Sequence, residues 1–351
     1  MKIAQISPLL EAVPPRLYGG TERVVSYLTE ALVAAGHDVT LFASGDSRTS
    51  ATLVPGRECA IRLDESPLKS PVAAHLAMLS DVARRANEFD IIHFHIDLLP
   101  FPLFEPVAAR TISTLHGRQD KKDLPAYYRR WPEFPLVSIS ESQRRPIPWA
   151  NWLGTVYHGL PEDLYQPAEN PAGDYLAFLG RVSREKRLDR AIKIARRVGL
   201  PLRIAAKVDT HDRVYFREVI RPLLEQDGVE FIGEINDAEK PAFLGNARAL
   251  LFPIDWPEPF GLVMIEAMAC GTPVIGWRCG SVPEVVDEGV TGHIVDSIAA
   301  ASAAVERVDR IDRARIREVF EQRFSVTAMA REYVGLYQTL LTRPDLRMAK
   351  G

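Results

Sequence analysis

Short apolar runs alternate with helix-periodic segments along nearly the whole chain, and the alternation breaks once, in the middle. Ile3–Ile6 reads as a strand. A helix follows over Glu22–Ala35, with Val24, Val25, Leu28, Leu32 and Val33 on one side and Gly36 as its stop. Strands are then predicted at Val39–Ala43, Ile91–His95, Arg110–Leu115, Leu136–Ile139 and Thr155–Tyr157, with a long helix over Pro71–Asn87. Uniformly apolar strands separated by helices need cover on both faces, which predicts a parallel sheet between helical layers. His158–Asp174 carries Gly159, Pro161, Pro167, Pro171 and Gly173 and reads as a linker. Beyond it the rhythm resumes. Strands are predicted at Tyr175–Leu179, Leu202–Ala206, Glu230–Ile232, Ala249–Phe252 and Pro273–Gly276. Helices are predicted at Lys186–Val198, Arg213–Gln226, Asp237–Asn246 and Leu262–Ala269, with helical sequence from about Ala299 to Leu341. The expected fold class is α/β, with two Rossmann-like doubly wound domains facing each other across a deep cleft. In such sheets ligands bind at the carboxyl ends of the strands.

Composition narrows the function classes. A chain of 351 residues has room for two domains. A net charge of −3 argues against coating nucleic acid, which asks for a basic surface. Cys59, Cys270 and Cys279 are too few and too scattered for a disulfide framework, and no CxxC occurs. The first residues read as a strand rather than a signal peptide, and no apolar run reaches the ~18 residues of a membrane span. A reducing cytosol is the expected compartment.

Four constellations stand out. Pro14 to Glu22, containing Gly19 and Gly20, joins the first strand to the first helix. Helix amides there could meet an anion, with Thr21 as N-cap, or the segment is a plain turn. It is not GxGxxG, nor does any other segment match that fingerprint, which counts against a dinucleotide oxidoreductase. Gly180-Arg181-Val182-Ser183-Arg184-Glu185-Lys186 follows the first strand of the second half. Cations usually avoid a helix start. Arg181 and Lys186 there, with Ser183 as cap, therefore suggest a diphosphate site, the alternative being solvated surface charge. The third runs from Trp256 to Pro273. Glu258 lies in a proline-bounded turn, and Glu266 lies inside an apolar helix without a cation four residues away. A carboxylate so placed needs a hydrogen-bonding partner or a ligand, and a vicinal diol suits it. The fourth is His116, at the end of a strand, either structural or set for hydroxyl contacts. His93, His95 and Asp97 share one face, but no fourth ligand with usable spacing completes a metal site, and no Asp-x-Asp pair appears.

Taken together, these residues resemble the family-four glycosyltransferases, which have the glycosyltransferase-B fold. The resemblance covers nearly the whole chain. It rests on Gly19-Gly20-Thr21-Glu22, Gly36-His37-Asp38-Val39, Phe89 to His93, Thr114-Leu115-His116-Gly117, Ser138 to Ser142 and His158-Gly159-Leu160-Pro161. It continues through Phe178-Leu179-Gly180-Arg181 with Lys186, the E-x7-E element Glu258 to Glu266, Gly271 to Ile275 and Gly280 to Glu284. Two positions depart from the family pattern: Arg187 stands where Gly is common, and His158 where Asn is common.

The resemblance implies a retaining, metal-independent transfer of a sugar from a nucleotide-diphosphate sugar to a hydroxyl acceptor, without a cofactor. UDP is favoured as the nucleotide on family frequency alone. By the same resemblance Arg181 and Lys186 hold the diphosphate, and Glu266 takes the ribose. Glu258 contacts the sugar, and the amides of Phe260, Gly261 and Leu262 meet sugar or phosphate oxygens. Gly19 and Gly20 let a loop approach the phosphates, and His116 contacts sugar or acceptor. Expected limits are 1–158 for an acceptor-side domain, joined by a returning helix in 326–351, and 159–325 for a donor domain. The rival readings are an epimerase or phosphorylase on the same scaffold, or a non-catalytic sugar-nucleotide binder. The acceptor is a sugar, a lipid-linked group or a small molecule. Basic and aromatic residues interleave over 118–131. They suit either peripheral contact with the inner face of a membrane or a solvated loop.

Overall fold

The computed structural model describes residues 1–16 and 19–342. Thirteen strands are present among them: β1 Lys2–Ile6, β2 Asp38–Ser44, β3 Thr52–Arg57, β4 Ile91–Phe94, β5 Thr111–Thr114, β6 Leu136–Ser138, β7 Trp152–Thr155, β8 Leu176–Arg181, β9 Leu202–Lys207, β10 Val229–Gly233, β11 Ala249–Phe252, β12 Val274–Trp277 and β13 Gly292–Val295. They form two sheets, ordered β3-β2-β1-β4-β5-β6-β7 and β10-β9-β8-β11-β12-β13. Every ladder in both sheets is parallel. Each sheet therefore reverses its winding once, between β1 and β4 in the first and between β8 and β11 in the second. That reversal opens a crevice at the carboxyl ends of the strands.

The chain divides into two compact units, Met1–Gly159 with the segment from Val326 onward, and Leu160–Ser325. In the first, the helix Val326–Thr342 packs against the helix Gly20–Ala34 and buries Tyr333 and Tyr337 completely. The part of the C-terminal segment beyond Thr342 lies outside the described residues. In the second, the helix Leu262–Ala269 is buried along nearly its whole length. A helix apolar all round belongs between other layers rather than at a surface.

Several expectations are corrected. β3 was not predicted: its Pro55 and Gly56 weaken the pattern, and both are tolerated because β3 is an edge strand. β7 runs over Trp152–Thr155 rather than Thr155–Tyr157, because Trp152 pairs with Leu136 and Gly154 with Val137. β13 was also not predicted, being short and starting at a glycine. The helix expected over Arg213–Gln226 is interrupted by a π turn at Phe216–Ile220. The first half of the expected linker is anchored, not loose. The Arg317 guanidinium donates to the carbonyls of Glu162 and Tyr165, and the Tyr165 hydroxyl donates to Asp237 at 2.7 Å. In the stretch 118–131 Tyr127 and Trp131 are half-buried. Tyr128 is buried and its hydroxyl donates to Gln119 at 2.7 Å, Tyr127 donates to the Leu98 carbonyl, and Trp131 packs on Tyr127. Among the described residues no helix is long and apolar enough to cross a membrane.

Gly292 shows how tightly β13 is fitted: a Cβ there would lie 1.9 Å from the Val274 carbonyl oxygen. Gly292→Ala should therefore cost about 1–3 kcal/mol of stability, the range for overpacking. Urea denaturation measures it, and an unchanged midpoint would show that the β12–β13 pairing yields without cost.

Candidate functional site

In the second unit the loops that leave β8 and β11 meet at the winding reversal. The Asp255 amide donates to the Glu185 carbonyl at 2.8 Å, so the two loops are joined through backbone. Arg181 ends β8. Its guanidinium donates to Glu185 at 2.8 Å and lies 3.6 Å from Asp209. Lys186 lies on a short 3-10 turn, Arg184–Lys186, and its ammonium is paired with the Glu258 carboxylate. The same carboxylate accepts from the Trp256 indole at 2.9 Å, and the rings of Phe252 and Trp256 stand 5.3 and 5.4 Å from the ammonium. Glu258 is therefore a buried carboxylate held by two donors, and Lys186 is a cation bordered by two aromatic faces.

The segment carrying Glu258 is clasped by the loop after β12. The Ser281 amide donates to the Glu258 carbonyl at 3.1 Å, and the Ser281 hydroxyl donates to the Phe260 carbonyl at 2.6 Å. Gly280 makes this contact feasible. It adopts φ +56°, and a Cβ would fall 2.4 Å from the Glu258 nitrogen. Gly261, at φ +84°, opens the helix Leu262–Ala269, and Phe260 is buried behind it while Leu262 starts the first turn. Glu266 faces inward from that helix and accepts from the Lys240 ammonium at 2.7 Å. Lys240 also lies 3.1 Å from Asp237.

In the first unit, residues after β1, β4 and β5 line a cavity of about 440 Å³, among them Gly19, Gly20, Glu22, Asp97 and His116. Gly19 has no room for a side chain: a Cβ would lie 2.9 Å from Pro15 and 3.0 Å from the Glu22 carboxylate. Burial raises the Glu22 and Asp97 carboxyls above the ordinary range. His116 is half-buried. One of its nitrogens, Nε2, lies 2.9 Å from His95 Nδ1, and its ring stacks on His158 with centroids 5.3 Å apart. Burial drives His93, His95 and His158 well below the usual histidine pKa and pushes His116 down to about 3.

Two family descriptions match this chain. Glycosyltransferase Family 4 matches residues 18–151, and Glycosyl transferases group 1 matches residues 162–322, so the two together take in most of both units. The chain belongs to the family-four glycosyltransferases. It is 27% identical to a glycogen synthase of Mycobacterium tuberculosis, over 92% of each chain. It is also 27% identical to a phosphatidyl-myo-inositol mannosyltransferase of Propionibacterium freudenreichii, over 88% of this chain and 86% of that one. Among solved structures it resembles Anabaena Alr3699/HepE in complex with UDP and glucose, with a TM-score of 0.74 and 17% identity over 98% and 100% of the two chains. The fold is accordingly that of the glycosyltransferase-B enzymes.

In this glycosyltransferase the structure brings Arg181, Lys186, Glu258, Phe260, Gly261 and Leu262 to the segments that leave β8 and β11, with Glu266 inside the following helix and paired with Lys240. It brings Gly19, Gly20 and His116 to the carboxyl-end edge of the first sheet. Two local expectations are corrected. Ser183 makes no cap bond to the following helix, which begins at Leu188, two residues beyond Lys186. Thr21 is not the N-cap; the helix starts at Gly20 with Gly19 before it. Glu266 finds the partner that its apolar setting calls for in Lys240, contributed by a helix 26 residues earlier. No spacing rule could have paired them, since the contact exists only once the two helices pack. Arg187, which stands where the family often has Gly, occupies the left-handed region at φ +53° that favours glycine. Its guanidinium is tied to Asp189 at 2.9 Å and Asp255 at 2.6 Å, which holds the backbone there. The His93 and His95 nitrogens are all engaged in hydrogen bonds to protein groups.

The buried imidazoles set a pH dependence. The unfolded chain protonates them below about pH 6.5, while the folded chain keeps them neutral. Folded pKa values below the unfolded ones mean that stability is lost as pH falls through this window, by about 1 kcal/mol per pH unit for each histidine kept neutral. Urea midpoints measured from pH 7 down to pH 5 should fall steadily. A flat profile would contradict the neutral cluster.

Proposed function

We propose that this glycosyltransferase transfers a sugar from a nucleoside diphosphate sugar, with UDP as the favoured nucleotide, to a hydroxyl acceptor. The anomeric configuration is retained and no divalent metal is required. The observation that carries the reading is the Lys186–Glu258 pair at the winding reversal of the second sheet, with Arg181 on the adjoining strand end. Lys186 spends one of its three protons on Glu258. The others, with the Arg181 guanidinium, suit a diphosphate, and they would stabilise the charge that develops as the nucleotide departs. That is the work a metal ion does elsewhere. Glu258, held by Lys186 and the Trp256 indole, would face the sugar as it gains positive charge. Lys240 takes Glu266 Oε1 and leaves Oε2 for the ribose hydroxyls. Retention follows from the family resemblance, through front-face attack on an oxocarbenium-like ion pair in which a departing phosphate oxygen takes the acceptor proton. We assign the cavity of the first unit, with His116 and Gly19-Gly20, to acceptor and sugar contacts. UDP is supported by the Anabaena relative, whose structure holds UDP and glucose.

Calorimetry with UDP, GDP and ADP identifies the nucleotide. Incubation with the matching sugar nucleotides and proton NMR of the product then reads the anomer. Transfer with retention in EDTA supports the proposal. Isomerisation alone, a requirement for inorganic phosphate, or metal-dependent turnover would replace it with one of its rivals.

Lys186→Ala should weaken nucleoside diphosphate binding by roughly 1.5–3 kcal/mol, the range for charged hydrogen bonds, and leave the bare nucleoside unaffected. Glu266→Gln should raise the donor KM and weaken the free nucleotide. Glu258→Gln should lower kcat with free-nucleotide affinity nearly unchanged, because its contact strengthens in the transition state. Equal loss of nucleotide affinity in both glutamine variants would overturn this division of labour.

A further inference from the structure

One hydrogen-bonded chain runs from the C-terminal helix through the core of the first unit to His116. The Gln5 carboxamide, on β1, is its centre. Its nitrogen donates to the Tyr337 hydroxyl at 3.2 Å and lies 3.4 Å from His93 Nδ1, and its oxygen meets His95 Nε2 at 2.8 Å. The Tyr337 hydroxyl lies 2.7 Å from His93 Nδ1, and His93 Nε2 lies 2.7 Å from the Thr114 hydroxyl. That hydroxyl in turn lies 2.9 Å from the hydroxyl of Tyr333. Gln5, His93, Thr114, Tyr333 and Tyr337 are all fully buried.

Proton counting gives this chain a direction. An amide oxygen only accepts, so His95 Nε2 must carry a hydrogen. The neutral ring then has a lone pair at Nδ1. His116 Nε2, facing that lone pair at 2.9 Å, must donate. His116 is left with a lone pair at Nδ1, and Nδ1 has no hydrogen-bond partner among the described residues. The same counting closes on the other side: Tyr337 accepts from Gln5 and donates to His93 Nδ1, and His93 Nε2–H donates to Thr114. Stacking on His158 fixes the plane of the ring.

We propose that the C-terminal helix sets the tautomer of His116, with Tyr337, Gln5 and His95 as positioning residues that hold it as the Nε2–H form. His116 then meets substrate as a hydrogen-bond acceptor. It takes a hydroxyl and rejects phosphate or carboxylate oxygens, which bring no proton at neutral pH. The consequence for turnover rests on the placement of His116 at the substrate; the tautomer does not.

The test is long-range proton–nitrogen NMR of the full-length enzyme with nitrogen-15 histidine, His116 being assigned by loss of its signals in His116→Gln. The wild-type spectrum should show His116 as Nε2–H. Tyr337→Phe removes both bonds of the phenol and frees the Gln5 carboxamide to turn. It should mix the His116 tautomers and lower kcat roughly ten- to a hundredfold, with donor KM and thermal midpoint little changed. Gln5→Met cuts the chain at its centre and should do the same if Tyr337→Phe does not fold. An Nδ1–H tautomer in the wild type overturns the proposal. So does a tautomer unmoved by the folded variant, or a kcat loss that only follows a fall in thermal midpoint. The spectra are taken on free enzyme, so a correct tautomer in a protein that transfers no sugar would sink the proposed activity and leave this inference standing.

Discussion

Parallel pairing throughout both sheets is the constraint on which the rest depends. Parallel strands put all their carboxyl ends at one edge, and the connections that leave that edge are the ones free to carry chemistry. Arg181 ends β8, the Glu258 loop follows β11, and the Ser281 loop follows β12, so three segments far apart in the chain arrive side by side. In the first unit Gly19, His95 and His116 follow β1, β4 and β5 by the same rule. At the winding reversal of the second sheet the loops after β8 and β11 meet and are joined through the Asp255 amide and the Glu185 carbonyl.

Charge is handled differently at the two edges. In the second unit cations and carboxylates are matched: Arg181 with Glu185, Lys186 with Glu258, Lys240 with Glu266. A buried carboxylate stripped of its partner would shed its charge by taking a proton. The lysines therefore give the buried Glu258 and Glu266 carboxylates a matched cation. In the first unit the cluster that leads to His116 is made of neutral imidazoles, an amide, hydroxyls and phenols. Burial forbids their protonation, so they act by the direction of their hydrogen bonds rather than by charge.

The two departures from the family pattern both make structural sense. Arg187 accepts a left-handed backbone because Asp189 and Asp255 grip its guanidinium. His158 supplies a flat face against which His116 stacks. Gly280 is the opposite case, where only the absence of a side chain lets one loop clasp another at Glu258.

The amino-acid sequence by itself determined the two-fold strand–helix alternation, the parallel sheets and the family. It also determined that Arg181 stands at a strand end, Lys186 and Glu258 in the segments after strands and Glu266 inside an apolar helix, because periodicity and local spacing are written in consecutive residues. Its errors fell on edges and joints: β3 with Pro55 and Gly56, β13 starting at Gly292, and the helix start at Leu188. Local propensity is weak at such places, and pairing with a neighbouring strand decides. Tertiary structure alone decided who partners whom. Lys240 reaches Glu266 across two helices, and Gln5, His93, Thr114 and Tyr337 meet across two strand ladders and a helix more than 220 residues away. Such contacts leave no mark in linear spacing, because they depend on three-dimensional packing that brings distant segments within hydrogen-bond reach.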